Sequence, residues 1–250
     1  MPLSRREFAK NTLGALLTYS LLKTLCTREA LAADIKRLAG DWMKDLNQLG
    51  QDVKGQKLTQ IEWQEKVDQL YEHVDLADAL KFIDFEKLTA NIKLKDEAEL
   101  SLRAKFPKVE GLPTDLVFGH QIFALKKDRS VVPHGHNNMA TAFLILKGEF
   151  AGKHYDRLED EKEFMIIKPT IDRPFKPGEH STVSDYKDNI HWFKATSETA
   201  FIFNIHIMDV NPASKLRTGR IYIDPDGEKL AGGRIKAKRL STKEAFTKYG

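Results

Sequence analysis

Apolar residues recur along this chain with two different periods, and the change between them separates a helical region from a strand-rich one. Between Ile61 and Leu88, apolar side chains return every three or four positions, as amphipathic helices require. Thr59 and Glu62 form the pattern of a capping box that opens the first of these helices. Another helix is predicted from Asp34, ending at Gly50. Residues 33–105 are therefore predicted to be helical.

From Leu116 onward, the apolar residues fall in short alternating runs separated by proline and glycine. Four of these runs are predicted to be strands: 116–125, 142–146, 164–168 and 201–208. Proline supports the division, because none occurs between Pro2 and Pro107 and helix interiors exclude it. Short, regularly interrupted strands are typical of a sandwich or barrel, which we place at residues 106–225.

The first 32 residues are predicted to be a targeting segment. Ser4 to Lys10 contains the arginine pair of a twin-arginine export signal, an interrupted apolar run follows, and Ala30 to Ala32 has the small-x-small pattern of a cleavage site. The expected partner is the twin-arginine translocase, and the expected location is the periplasm or another site across the cytoplasmic membrane. No stable membrane insertion is expected after cleavage. The single cysteine, Cys26, would leave with this segment, so the mature chain would have no thiol.

The basic character of the chain is concentrated at its two ends. The formal net charge is +4, and the predicted leader carries five Lys/Arg against two Glu. From Lys215 to the last residue there are ten Lys/Arg and four Asp/Glu. Residues 226–250 are interpreted as a solvated basic tail. These charges are not interleaved with aromatic residues, so no nucleic-acid partner is predicted.

Three histidines carry the candidate chemistry. His134 and His136 are two residues apart on a predicted strand, so their side chains point to the same side. His191 lies far enough downstream for a returning strand to bring it beside them. Three neutral imidazoles that meet at one point predict a metal site.

The spacing after His136 resembles the first signature of the cupin superfamily. His134-x-His136 is followed by Thr141, where that signature usually has a glutamate ligand, and then by Gly148. His191 occupies the histidine position of the second signature. The resemblance covers residues 109–210 and implies a mainly β fold: a double-stranded β-helix, or jelly-roll, barrel preceded here by the helical N-terminal region.

Two stretches resemble the cysteamine dioxygenases and plant cysteine oxidases in particular. They are the run from Gly148 through Lys153, Tyr155 and Asp156, and the run Asn189-Ile-His-x-Phe. This resemblance implies Fe(II) bound by His134, His136 and His191, with dioxygen and either a small thiol or a peptide with N-terminal cysteine as substrates. Both oxygen atoms would be added to the sulfur, giving a sulfinate. Tyr155 and Asp156 would stand beside the metal without binding it, although alternation lets only one of them face the pocket.

Other interpretations of the same residues stay open. Three histidines with an open position also describe a zinc-dependent hydrolytic site, and a cupin that binds a metal or small ligand without turnover is a third possibility. Arg173 and Arg103 are candidates for binding a substrate carboxylate. Five further histidines complete the set: His120 and His206 are expected on strands, and His73, His154 and His180 are expected to be exposed.

Overall fold

A computed structural model describes residues 28–108, 110–111 and 113–250. Residues 1–27 of the predicted leader, which include the arginine pair and Cys26, lie outside the described residues. Four helices come first: α1 (Arg28–Lys54), α2 (Gln60–Glu72), α3 (Leu76–Phe82) and α4 (Phe85–Thr89). In the described part of the chain, no helix is both long and apolar enough to cross a membrane.

The strands follow the helices in an almost unbroken series. They are β1 (Leu100–Leu102), β2 (Gly119–Lys126), β3 (Ser130–Asn137), β4 (Met139–Lys147), β5 (Phe150–Asp160), β6 (Phe164–Phe175), β7 (His180–Val183), β8 (Ile190–Ala195), β9 (Thr199–Met208), β10 (Gly219–Lys229) and β11 (Ile235–Leu240), and helix α5 (Thr242–Tyr249) ends the chain.

The strand order is that of a jelly roll. One sheet runs β1-β2-β9-β4-β7 and the other contains β3-β8-β5-β6, all with antiparallel neighbours. Apart from the short β1, these are eight strands in two facing sheets, whose crossovers form two Greek keys. The structure thus confirms the predicted fold class, a mainly β double-stranded β-helix barrel preceded by helices.

The helical layer packs against the outer face of the first sheet. Trp42, Trp63 and Val67 of the helices share one buried cluster with Ala142 and Phe203 of the sheet. The capping box predicted at Thr59 opens α2, with Glu62 completing it.

Helix α1 does not end at Gly50, as the sequence predicted, but continues to Lys54. A Cβ at Gly50 would lie 2.5 Å from Val117 Cγ1 and 3.3 Å from Ile207 Cδ1. Glycine is therefore needed here for the close approach of the helix to the barrel, rather than as a stop signal.

The C-terminal residues form a second closed element instead of the expected solvated tail. Strand β10 pairs with β3 and β11 pairs with β6, which closes a six-stranded barrel around its own apolar cluster. Helix α5 packs on the outside, where Tyr249 contacts Trp192 at 5.1 Å between ring centroids. The alternation in Ile235 to Leu240 was hidden by its lysines: Lys238 is exposed and Lys236 partly exposed, while Ile235 and Ala237 are buried.

Candidate metal centre

The three predicted histidines meet between the two sheets of the jelly roll. The antiparallel register of β3 and β8 places His134 directly opposite His191, and His136 follows two residues later on the same side of β3. The ring centroids lie 5.0 Å apart for His134 and His136, 4.2 Å for His134 and His191, and 4.9 Å for His136 and His191. One nitrogen of each ring lies within 4.8 Å of the others, and each residue is at most 2% exposed.

Each of the three rings has a hydrogen-bond partner at Nδ1, which leaves Nε2 as the nitrogen available to a ligand. The Nδ1 atoms of His134, His136 and His191 lie 2.7 Å from the Val132 carbonyl, 3.2 Å from the Thr141 hydroxyl and 3.4 Å from the Asn189 carbonyl. The carbonyl partners of His134 and His191 require Nδ1 to donate, and the Thr141 hydroxyl is able to accept from Nδ1 of His136; with Nδ1 protonated, Nε2 keeps its lone pair. Nε2 of His134 is buried and has no hydrogen-bond partner among the described residues. A buried, unpaired acceptor beside two other imidazoles fits a metal ligand.

Burial also keeps the three rings neutral. Burial, with the charge of Arg220 adding to it, lowers the pKa of His136 to about 3. The same two causes hold the pKa of His134 well below its usual value, and burial does so for His191. Neutral imidazole is the form that binds metal ions, so the site is ready for a ligand role at neutral pH.

Asn189 holds the backbone of β3 at the second histidine. Its Nδ2 donates to the His136 carbonyl at 2.9 Å and to the Ser184 carbonyl at 2.8 Å, while its Oδ1 accepts from the His136 amide at 3.3 Å. Arg157 donates to the same His136 carbonyl at 3.2 Å. Gly135 makes this arrangement possible, because a Cβ there would lie 2.6 Å from Asn189 Oδ1. The asparagine of the Asn189-Ile-His run thus sets the position of His136.

A cavity of about 170 Å³ opens in front of the histidines. Its opposite wall comes from the first sheet and is polar near the histidines, with Gln121, Thr141, Asn204 and His206. Gly119 leaves room for the His206 ring, because a Cβ there would collide with Nε2. Arg220 adds a charged group to the lining, Gly219 lies beside it, and the apolar part of the lining consists of Phe123, Met139, Phe143 and Met208.

Tyr155 and Asp156 are not brought to this cavity. His154 pairs with His191 in the register of β5 and β8, so His154 points inward and Tyr155 points the other way, into the core of the six-stranded barrel. Burial there raises the pKa of Tyr155 to about 12. The Asp156 carboxylate accepts a hydrogen bond from the Asp188 amide at 2.9 Å instead. Their predicted place beside a metal is therefore not observed.

The two arginines proposed as carboxylate ligands also lie elsewhere. Arg173 pairs with Glu179 at 2.8 Å on the surface, and Arg103 is exposed away from the cavity. Gln121, Asn204 and Arg220, which do line it, were missed because a strand's facing depends on pairing partners that the sequence does not name.

The remaining histidines divide between core and surface. His154 is fully buried, contrary to the predicted exposure, and burial lowers its pKa to about 3. His180 is only partly exposed, and His73 is exposed as predicted. His120 contacts the Ala104 carbonyl at 3.0 Å on the helical side, whereas His206 faces the cavity.

Comparisons with known proteins find similarity only in folded shape. No protein-family profile matches this chain, and no curated protein matches its sequence. Matching solved structures include an uncharacterized conserved protein with a double-stranded β-helix domain from Klebsiella pneumoniae, with 9% identity, 53% of this chain and 85% of that chain covered, and a TM-score of 0.33. Recombinant oxalate oxidase in complex with glycolate matches with 14% identity over 42% of this chain and 46% of that chain, and a TM-score of 0.31.

The 11S globulin procruciferin from Brassica napus also matches, with 14% identity over 38% of this chain and a TM-score of 0.31. This chain spans only 21% and 22% of the lengths of the two 11S globulins that it matches first. Similarities this low assign no function.

Proposed function

We propose that His134, His136 and His191 bind one iron(II) ion and that the protein is a thiol dioxygenase. The observation that carries this proposal is the donor set itself: three buried, neutral imidazoles, with the Thr141 hydroxyl and no carboxylate beside His136 in the described cavity lining. Iron(II) in this site would supply a Lewis-acidic centre active in one-electron chemistry, where sulfur and dioxygen react.

The charge of the surroundings favours an anionic substrate atom. Neutral ligands leave a divalent ion its full charge, and the described residues that line the cavity include Arg220 but no carboxylate. A thiolate is such an atom. The overall reaction balances without another reductant, because one thiol and one dioxygen give one sulfinic acid as sulfur loses the four electrons that dioxygen gains.

The size of the cavity supports a small thiol over a peptide as substrate. At about 170 Å³, it is smaller than the roughly 300–1,000 Å³ of pockets that hold drug-sized ligands. Met139, Phe123 and Phe143 give the walls an apolar component against which a short aliphatic stem can pack.

We further propose that the protein is exported by the twin-arginine translocase. The arginine pair, the apolar run and the Ala30-Leu-Ala32 pattern support this. Conversion of Arg5 and Arg6 to lysine should leave the protein in the cytoplasmic fraction while the wild type reaches the periplasm. Equal export of both would refute the proposal.

The enzymatic proposal is tested by anaerobic reconstitution with iron(II), followed by oxygen uptake with a panel of small thiols. We expect uptake of one dioxygen per thiol and a product heavier by two oxygen atoms, identified as sulfinate by mass spectrometry. H191A should show neither, whereas a matched variant of the buried histidine that binds no metal, H154L, should retain both. Iron-loaded protein without thiol-dependent uptake would refute the dioxygenase.

The zinc alternative is separated by metal analysis. Protein purified after native export should contain iron under this proposal. Full occupancy by zinc, with iron absent, would favour a hydrolytic site instead.

A further inference from the structure

Arg220 lies next to the histidines although it is far from them in sequence. Strand β10 pairs with β3 so that Arg220 is directly opposite His136 and Tyr222 is directly opposite His134. Residues opposite one another in an antiparallel pair point to the same side, with Cβ atoms about 5 Å apart. Arg220 therefore lines the cavity on the side of the histidines, with 29% of its side chain exposed.

The guanidinium group keeps its hydrogen-bond donors available. Its nearest carboxylate, that of Glu99, is 3.9 Å away, at the outer limit of an ion pair. No protein acceptor among the described residues lies within hydrogen-bond distance of it. Its other charged or aromatic contact is the Phe123 ring, whose centroid is 6.0 Å from Arg220 Cζ. A guanidinium that lines a cavity and is not hydrogen-bonded by the described residues can bind an anionic group.

The carboxyl group of Glu99 lies near the Arg220 guanidinium but outside the cavity. Its side chain is 12% exposed, and burial raises the pKa of its carboxyl group. Glu99 comes from the segment before β1 and is not part of the cavity wall. The carboxylate thus balances Arg220 from outside the cavity and leaves the inward side of the guanidinium for a ligand.

We propose that Arg220 binds a carboxylate of the substrate, so that the thiol taken by this site is a small thiol acid. This inference rests on the proposed function for the place of the sulfur at the histidines. A cavity of about 170 Å³ suits a stem of only a few carbon atoms between sulfur and carboxylate. The planar fork of the guanidinium matches a carboxylate through two parallel hydrogen bonds.

The test compares mercaptopropionate with its neutral alcohol counterpart, mercaptopropanol. Dissociation constants are measured by titration calorimetry on anaerobic, iron-loaded protein, so that binding is read without turnover. A charged hydrogen-bonded contact contributes about 1.5–3 kcal/mol, so the wild type should prefer the acid by roughly 10- to 100-fold.

Two substitutions at Arg220 and one control complete the design. R220Q should reduce the preference to about one, and R220K should lower it, because lysine keeps the charge but lacks the fork. R217Q removes an exposed arginine from the loop that precedes β10 and should leave the preference unchanged. Circular dichroism and melting temperature establish that each variant is folded.

The possible outcomes separate this inference from the proposed function. The inference is overturned if the wild type binds the acid no better than the alcohol. It is also overturned if folded R220Q prefers the acid as strongly as the wild type does. Should R220Q not fold, the same result in R220K overturns it. Selective binding of the acid without formation of sulfinate would contradict the dioxygenase and leave the role of Arg220 standing. Sulfinate formation without a preference for the acid would support the dioxygenase and contradict the role of Arg220. Failure to bind either thiol contradicts both the dioxygenase and the role of Arg220.

Discussion

The two ends of the space between the jelly-roll sheets are built from the same strands but have opposite characters. On the inner face of β8, His191 at one end is followed by Phe193 and Ala195 at the other. On β4, Thr141 is followed by Phe143 and Ile145 in the same way. One end is filled by large apolar side chains, and the other keeps a cavity.

This difference shows how one alternating pattern serves both packing and chemistry. At the filled end, aromatic rings interdigitate, with Phe193 at 5.1 Å from Phe143 and 5.4 Å from Phe175 between centroids. At the histidine end, polar side chains are buried without filling the space, and His134 Nε2 has no partner among the described residues. The filled end stabilises the barrel, whereas the histidine end is less completely packed and leaves space for a ligand.

The largest effect on the histidine end is expected from replacing His191. H191A should reduce bound iron from about one per chain to almost none, because it removes one of three ligands and leaves the others too few to hold the ion. Metal analysis after dialysis checks this result. F193L, two residues along the same face, is the matched control and should retain the metal; loss in both variants would mean that the strand, not the ligand, had failed.

Removal of an aromatic ring from the filled end should lower stability instead. F193A should decrease the free energy of unfolding by roughly 3–5 kcal/mol, the usual cost of truncating a buried phenylalanine. Urea denaturation of the metal-free protein measures it. A loss below about 1 kcal/mol would contradict the view that this end supplies the stability of the barrel.

Replacement of Asn189 tests whether metal binding depends on the position of the β3 backbone at His136. N189A removes the amide contacts to the His136 backbone and should weaken iron binding by roughly 10- to 100-fold, as is typical for groups that orient metal ligands. N189D keeps the acceptor but places a buried carboxylate oxygen against the His136 and Ser184 carbonyls, so it should weaken iron binding at least as much as N189A. Competition with a chelator gives the affinities, and unchanged affinity in N189A would exclude the positioning role.

His154 is the polar exception within the filled end, and its replacement should have the smallest effect. Its Nδ1 is buried without a partner, and its Nε2 is 3.5 Å from the Ser181 hydroxyl. H154L should raise the free energy of unfolding by ~1 kcal/mol, because it removes an unsatisfied buried polar atom. Thermal and urea denaturation measure the change. A large destabilisation, or loss of iron, would show that this ring does more than fill space.

The sequence predicted where helices and strands occur better than it predicted which strands pair with each other. Periodicity located the helices and the strands that became β2, β4, β6 and β9, because burial on one face leaves a local signal. It did not predict that β10 would pair with β3, since pairing is decided by contacts distant in sequence.

The same physical limit explains which site residues were found. His134 and His136 could be predicted because two residues on one strand share a face, and His191 because the spacing of the cupin signatures pointed to it. Arg220 could not, because its facing is fixed by a strand that pairs across more than eighty residues. His154 was placed wrongly because its polar sequence neighbours suggested solvent, whereas the register with His191 turns it inward.

Closure of the six-stranded barrel also affects how copies of the protein can associate. Because β10 and β11 connect β3 to β6, the sheet that carries the histidines has no open edge in the described part of the chain. The other sheet ends in β1 and β7, which contain only 3 and 4 residues. Open edges are where sheets of separate molecules join, so this architecture protects a strand-rich protein from aggregation at high local concentration.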